Sequence, residues 1–278
     1  MADSNTLTLT VLGSAGAYRT HEGSRASGYL VQHGATTIVL DLGHGTYAPL
    51  AAHVGMSALP QISVIGISHL HPDHWVDLAA LRHALVHGNK MGADARSVAV
   101  ISPSGLAPRL ATLLDDRTPE EQAAGAQNPL QPFAFSTWRS DAALPPLGGG
   151  RVIPVGDLWL QSARVRHTGE SYAMRVALRD QPGLTYSGDV SHWEDLAAIA
   201  QPGDTLLCEA AGGAAQWRES DTHVTAHGAG KAAAAAGAAT LLLTHFGAEV
   251  DPVEAVRAAA TEFSGEIVAV REGDRFEI

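Results

Sequence analysis

The sequence predicts an α/β (α+β) protein in which two β-sheets pack together and helices cover their outer faces. Three observations lead to this prediction. In both halves of the chain, short apolar runs rich in β-branched residues alternate with segments of helical periodicity. Tight glycine-rich turns separate the strands of the first half. The 278 residues, of which 45% are hydrophobic, are enough for one large core.

The first half contains five predicted strands and three predicted helices. Two strands pair around Gly34, and glycine-rich turns follow the first and third strands. The predicted strands are residues 7–12, 28–32, 37–41, 62–67 and 98–101. The predicted helices are residues 47–53, 76–81 and 105–114.

The second half repeats this style with six predicted strands and two predicted helices. Its second and third strands form a hairpin around residues 180–183. The first helix is rich in alanine and is stopped by Gly237. The strands are residues 158–165, 172–178, 184–187, 205–209, 241–244 and 266–270. The helices are residues 226–236 and 252–263.

Residues 115–150 are the least regular part of the chain. They contain five prolines and the run Gly148-Gly149-Gly150. Because strands resume afterwards, we interpret the stretch as a loop or helical excursion within a single domain spanning residues 1–278. Trp138 and the aromatic residues at 133 and 135 are candidates for covering a substrate base.

Composition limits the classes of function. The formal net charge of −11 argues against a general nucleic-acid surface, which needs a basic patch. Cys208 is the only cysteine, so no internal disulfide is possible. No apolar run is long enough to span a bilayer, and residues 1–5 lack the basic and apolar parts of a secretory signal. We therefore expect a cytoplasmic protein without a membrane partner.

The most informative stretch runs from His69 to His74 and reads His-Leu-His-Pro-Asp-His. It follows a predicted buried strand and precedes a predicted helix, so its side chains can converge beyond the end of the strand. Imidazole and carboxylate groups together are the usual ligands of zinc and related divalent ions. The pattern therefore predicts a metal centre.

Three further candidates occupy comparable places. His167, Asp189 and His245 each follow an apolar strand. A single histidine or aspartate at a strand end is more often a turn or capping residue than a ligand. Together with the first cluster, however, they complete seven ligands, the number that two adjacent metal ions need.

These motifs resemble the metallo-β-lactamase superfamily, and the resemblance extends over nearly the whole chain. It rests on the stretch from His69 to His74, on His167, on Ser187-Gly188-Asp189 and on Thr244-His245-Phe246. It implies a four-layer αββα sandwich with two divalent ions at one edge. In that family pattern the first ion would be held by His69, His71 and His167, the second by Asp73, His74 and His245, and both by the bridging Asp189.

A narrower resemblance is to the phosphodiesterase branch that contains ribonuclease Z. It rests on His223-Val224-Thr225-Ala226 and on residues 206–210, which include Glu209. It implies that His223 assists catalysis, that Glu209 orients it, and that Asp73 holds the proton of the attacking water. Only 22 positions separate His167 from Asp189, which leaves no room for the tRNA-docking arm of ribonuclease Z. Compact bacterial cyclic-nucleotide phosphodiesterases share this short gap.

The leading expectation is a binuclear phosphodiesterase for small substrates such as 3′,5′-cyclic nucleotides, without nucleic-acid partners. The cofactor would be two divalent ions, with Zn²⁺ as the default and Mn²⁺ or iron as alternatives. Dimers are common in the resembling branch, so a homodimer is also expected. Three alternatives stay open: a lactonase or β-lactamase type of carbonyl hydrolase, a tRNA 3′ endonuclease that lacks its own arm, and a non-catalytic scaffold.

Several other residues have ordinary structural interpretations that compete with functional ones. Arg19 and Arg25 are interpreted as solvated loop residues, with phosphate contact as the alternative. His83 and His87 are spaced like a helical metal pair but lie away from the predicted cleft. His227 is interpreted as a surface residue.

Overall fold

A computed structural model describes residues 6–19, 22–88, 97–118, 120–121, 129–140, 143–219 and 221–278. Over these residues the chain forms two seven-stranded mixed sheets. The first sheet has the strand order β14-β1-β2-β3-β4-β5-β6, and the second has the order β13-β12-β11-β10-β9-β8-β7.

Each sheet uses strands of one half of the chain, except that β14 joins the first sheet next to β1. The first-sheet strands are β1 (Thr8–Gly13), β2 (Gly28–His33), β3 (Thr36–Leu42), β4 (Val64–Gly66), β5 (Val98–Ser102), β6 (Phe133–Thr137) and β14 (Arg275–Glu277). The second-sheet strands are β7 (Val152–Val155), β8 (Leu158–Val165), β9 (Ser171–Leu178), β10 (Gly183–Tyr186), β11 (Thr205–Glu209), β12 (Thr240–Thr244) and β13 (Glu266–Ala269).

Five α-helices within the described residues cover the two sheets. They are α1 (Tyr47–Val54), α2 (Leu78–His83), α3 (Leu106–Leu114), α4 (Ala226–Ala236) and α5 (Pro252–Ala259). Short 3₁₀ segments occupy Met56–Gln61, Pro72–His74 and Trp193–Ala198. Among the residues with described positions, no helix combines the length and the apolar character that crossing a lipid bilayer would require.

Three separate apolar clusters show the layering. One lies between the sheets and includes Leu9, Tyr29 and Met174. A second lies between the first sheet and helices α1 to α3. The third lies between the second sheet and helices α4 and α5, where small alanine side chains let the helix approach the strands closely. Three buried interfaces separate four layers, which confirms the predicted αββα sandwich.

Strand direction sets the position of the candidate site. Strands β3 to β6 run parallel in the first sheet, and strands β10 to β13 run parallel in the second. The carboxyl ends of parallel strands lie at one edge of a sheet, and loops at that edge commonly carry ligand sites. The loops that follow β4, β10, β11 and β12 contain most of the predicted metal-binding and catalytic residues.

The structure differs from the sequence expectations in several places. Within residues 115–150 it contains a strand, β6, which pairs in parallel with β5 at the edge of the first sheet. Part of that stretch, residues 119, 122–128 and 141–142, lies outside the described residues. The predicted helix at 252–263 ends at Ala259, and strand β4 is shorter than its apolar run. Strands β7 and β14 were not predicted, because both are short and partly exposed.

Trp138 does not cover a substrate base, so that hypothesis is wrong. Its side chain is fully buried in the core between the sheets. The indole Nε1 donates a hydrogen bond to the Ile67 carbonyl oxygen at 2.7 Å. Phe133 and Phe135 pack with the apolar residues beneath helices α1 to α3. All three rings therefore serve the core.

A buried ion pair fixes the second sheet around the hairpin that leads to Asp189. The Asp204 carboxylate accepts two hydrogen bonds from Arg175, at 2.7 and 2.8 Å. It also accepts hydrogen bonds from the Gly183 backbone and the Thr185 hydroxyl. Both charged side chains are almost inaccessible to solvent, so each depends on the other for compensation.

Replacing Asp204 by alanine should therefore lower the free energy of unfolding by about 3–5 kcal/mol, because it leaves the Arg175 guanidinium buried without its partner. Urea denaturation followed by circular dichroism measures the change. The matched control is Glu254→Ala, which removes the exposed Arg257–Glu254 pair of α5 and should cost less than about 1 kcal/mol. Equal losses in the two variants would contradict this assignment.

Candidate metal centre

All seven side chains predicted from the sequence as metal ligands come together at the edge of the sandwich. His69 lies in the loop after β4, and a 3₁₀ turn places Asp73 and His74 beside it. His167 lies two residues beyond β8, and Asp189 lies three residues beyond β10. His245 directly follows β12. Both sheets thus contribute to one cluster.

Two groups of ligand-type atoms can be distinguished within the cluster. The first group is His69, His71, His167 and Asp189, and the second is Asp73, His74 and His245. Within each group the nitrogen and oxygen atoms lie within 4.8 Å of one another. A third overlapping group combines Asp189 and His245 with His223.

The Asp189 carboxylate belongs to the first group and also lies close to two histidines of the second. Its Oδ2 is 3.6 Å from His69 Nε2, 3.7 Å from His167 Nε2 and 3.3 Å from His245 Nε2. Its Oδ1 is 3.4 Å from His74 Nε2. These separations exceed those of good hydrogen bonds. They leave space between the groups that a divalent ion would fill.

Three atoms of the cluster are buried without a hydrogen-bond partner among the described residues: His69 Nε2, His74 Nε2 and Asp189 Oδ1. Buried polar atoms are nearly always satisfied in folded proteins, and each exception calls for an explanation. All three face the same space. The donor set, imidazole nitrogen and carboxylate oxygen, therefore fits a divalent cation such as zinc.

Contacts on the far side of the ring fix the orientation of three histidines, His167, His74 and His245. His167 Nδ1 donates to the Thr222 carbonyl oxygen at 2.7 Å, and His74 Nδ1 donates to Asp41 at 2.7 Å. His245 Nδ1 lies 2.8 Å from the hydroxyl oxygen of Ser27. Such contacts fix the tautomer and leave Nε2 free to face a metal.

Asp41 is the functional residue that the sequence reasoning missed. Besides His74, its carboxylate accepts hydrogen bonds from the backbone and hydroxyl of Ser68 and from the hydroxyl of Tyr186. It is completely buried, and its backbone φ of 57° is unusual for a residue other than glycine. The available signal was its place at the end of an apolar strand, in an Asp-Leu-Gly turn.

A close approach between two loops places the Asp73 segment. A Cβ atom on Gly43 would lie 1.8 Å from the Asp73 carbonyl oxygen, so only glycine fits at this position. The turn after β3 therefore supports the metal loop directly. A glycine-rich turn was predicted here, but the sequence alone did not indicate its contact with Asp73.

Burial and the charges of neighbouring groups shift the pKa values of several residues in the cluster. Burial and the neighbouring His74 hold the pKa of His69 well below its usual value, so His69 is neutral and offers a lone pair. Although burial opposes it, the Asp189 and Asp41 carboxylates raise the pKa of His74 well above its usual value. Despite burial, His245 and His74 hold the pKa of Asp189 well below its usual value. A metal ion entering the site must displace the proton of His74.

His223 and Glu209 form a pair beside this cluster. His223 Nδ1 lies 3.0 Å from both carboxylate oxygens of Glu209 and 3.8 Å from Asp189 Oδ2. Glu209 is fully buried, and its carboxylate also accepts hydrogen bonds from the backbone of Val190 and Ala211. The second sheet therefore holds Glu209 in place, and Glu209 in turn orients the imidazole.

The cluster opens into a cavity of about 750 Å³, a size typical of small-molecule sites. Its floor includes Asp73, Asp189 and His245, and its walls come from residues 16–18 and from the segment between β11 and α4. His223 lines the same cavity. His71, Asp73, Asp189, His245 and His223 are therefore accessible to one bound molecule.

The other histidines considered from the sequence do not join the cluster. His83 Nδ1 donates a hydrogen bond to the Ala79 carbonyl oxygen at 2.9 Å, and its ring centroid lies 5.8 Å from that of His87. His227 Nδ1 lies 3.1 Å from the hydroxyl of Thr261. The Arg19 guanidinium lies over the Phe246 ring, 5.5 Å from its centroid.

Comparison with known proteins gives a consistent picture. The family model described as the β-lactamase superfamily domain matches residues 36–246. An uncharacterized protein of Mycobacterium leprae is 30% identical, over 98% of this chain and 89% of its own length. A ribonuclease Z of Kineococcus radiotolerans is 27% identical, over 92% of this chain and 90% of its own.

The probable metallo-hydrolase YhfI of Bacillus subtilis is 25% identical, over 95% of this chain and 97% of its own. The crystal structure of YhfI, a metallo-β-lactamase fold protein, superposes with a TM-score of 0.80 over 99% of this chain and 100% of its own, at 23% identity. The chain therefore belongs to the β-lactamase superfamily and has the metallo-β-lactamase fold.

Proposed function

We propose that this protein is a binuclear metal-dependent phosphodiesterase for small substrates, with 3′,5′-cyclic nucleotides favoured. The observation that carries the proposal is the Glu209–His223 pair, whose histidine lines the same cavity as Asp73, Asp189 and His245. A carbonyl hydrolase of the lactonase type would use the same metals, whereas the Glu209–His223 pair is the part of the site that resembles the phosphodiesterase branch. In a phosphodiesterase this pair would donate a proton to the leaving alkoxide.

The proposed cofactor is two divalent ions, with zinc first and manganese or iron as alternatives. His69, His71 and His167 would hold one ion, Asp73, His74 and His245 would hold the other, and Asp189 would bridge them. The two atom groups and the three unpartnered buried atoms support this assignment. When bound, such ions supply Lewis acidity toward the phosphoryl oxygens and lower the pKa of water.

His223 is proposed as the residue that moves a proton. Although burial disfavours the imidazolium, the Glu209 carboxylate outweighs it and raises the pKa of His223 to about 9. Before metal ions bind, the ring is therefore protonated at neutral pH. Its Nδ1 is held by Glu209, so its Nε2 is the atom that can donate to a leaving oxygen. Asp73 is proposed to accept the proton of the attacking water.

Two features favour a small substrate over a folded RNA. Residues 168–188, between His167 and Asp189, include strands β9 and β10, which pair as a hairpin inside the second sheet. The net charge of −11 also disfavours a polyanionic partner. Processing of tRNA 3′ ends stays a second candidate, because a relative 27% identical is a ribonuclease Z. It would require a docking arm from another chain.

The proposal predicts two zinc ions per chain in protein loaded with zinc and then freed of excess metal. Asp189→Ala should retain at most one, because it removes the carboxylate shared by both groups. His83→Ala is the matched control, since this histidine lies outside the cluster, and it should retain two. Inductively coupled plasma mass spectrometry of the three proteins measures the number of zinc ions per chain. Well under two ions in the unsubstituted protein would favour the non-catalytic scaffold instead.

The same protein should convert 3′,5′-cyclic AMP to AMP, which chromatography of the products detects. Precursor tRNA and a lactone, tested in parallel, should be unreacted. Turnover of the tRNA or the lactone without turnover of the cyclic nucleotide would refute the favoured substrate and support the corresponding alternative.

Replacing His223 by alanine should lower kcat for cyclic AMP by roughly 10²- to 10⁴-fold, the usual contribution of a positioned proton donor. Metal content should not change. Glu209→Gln should lower kcat less, because it keeps the ring in place but removes the charge that favours its protonation. As a control, His227→Ala should leave kcat unchanged, because His227 lies one helical turn after His223 and is hydrogen-bonded to Thr261. Loss of metal in the His223 variant would make His223 a ligand instead.

A further inference from the structure

An aromatic side chain at the mouth of the cavity has no role in packing the core. The ring of Tyr18 is 78% exposed and lines the cavity wall. Neither its ring nor its hydroxyl makes an aromatic contact or a hydrogen bond with another described residue. Tyrosine is enriched at binding interfaces, because its ring is apolar while its hydroxyl can form hydrogen bonds.

The loop that carries Tyr18 is nevertheless held firmly to the metal centre. Gly16 N donates a hydrogen bond to the Phe246 carbonyl oxygen at 2.9 Å, and Phe246 N donates to the Ser14 carbonyl oxygen at 3.2 Å. These bonds form a parallel bridge between Ala15 and Phe246. Phe246 directly follows the cluster residue His245, so the position of Tyr18 is coupled to the position of the site.

Polar side chains line the same cavity as Tyr18. Gln216 and Arg218 line it from the segment after β11, and both side chains are exposed. The backbone of Arg218 is fixed by a hydrogen bond from its N–H to the Asp221 carboxylate at 2.8 Å. An amide and a guanidinium can both bind the polar edge of a heterocyclic ring.

We propose that Tyr18 is the stacking platform for the nucleobase of a nucleotide whose phosphate lies at the metal centre. This inference rests on the proposed phosphodiesterase function and adds the residue that would bind the base of its nucleotide substrate. The cavity of about 750 Å³ is larger than a phosphodiester group alone would occupy. A phosphate and a sugar present little flat surface to an aromatic ring, whereas every base has a π-face that a tyrosine can stack on.

The test measures binding apart from turnover. Calorimetric titration of the zinc-loaded protein with AMP gives the Kd of a nucleotide, and ribose 5-phosphate serves as the same ligand without its base. Tyr18→Ala should raise the Kd for AMP roughly tenfold, the loss expected for one base–aromatic stack. The Kd of the Tyr18→Ala variant for ribose 5-phosphate should equal that of the unsubstituted protein. Tyr18→Phe keeps the ring and should restore most of the affinity for AMP.

Equal zinc content in the three proteins controls for folding. The inference is overturned if Tyr18→Ala binds AMP as tightly as the unsubstituted protein, or if the latter binds AMP no more tightly than ribose 5-phosphate. Hydrolysis of cyclic AMP by the unsubstituted protein, measured separately, distinguishes the two levels. Hydrolysis without any effect at Tyr18 refutes the stacking platform alone. Base-dependent binding of AMP without hydrolysis of cyclic AMP refutes the phosphodiesterase proposal and leaves the base site standing.

Discussion

The arrangement of this protein depends on one buried carboxylate that is surrounded by imidazoles. Asp189 is nearly inaccessible, and removing a charge from water is costly unless opposite charges or metal ions compensate for it. The compensating groups come from loops after β4, β8 and β12. Because these strands belong to both sheets, the two halves of the sandwich must meet at a fixed distance for the site to exist.

Much of the fold followed from the sequence because its signals are local. Strands β8 and β11 and helix α4 have the bounds that apolar runs, an alanine-rich stretch and a stopping glycine predict. The edges were harder to predict. Strand β6 lies among prolines, and β14 pairs with β1 from the other end of the chain, which no local pattern shows. The burial of Trp138 likewise depends on the sheet that faces it.

The residue types of the site could be predicted from the sequence, but the contacts that orient them could not. Clustered histidines and aspartates after strands indicate a common edge, so the residues that the structure brings together could be named in advance. The contacts that orient them join residues distant in sequence, such as Asp41 with Tyr186 and Ser27 with His245. Asp41 and His245 both have positive φ angles, 57° and 53°. Such strain costs on the order of 1–3 kcal/mol and is concentrated at functional sites.

The division of the candidate ligands between the two sheets has a consequence for the order of events during synthesis. At about 5–20 residues per second, roughly 10 to 35 seconds pass between the appearance of His69 and that of His245 on the ribosome. During that interval the histidines of the first sheet gain His167 and then Asp189 from the second half of the chain, and His245 appears last. The nascent chain thus exposes an incomplete metal site to the surrounding ions. The selection of the bound ion is completed only when the last strands dock.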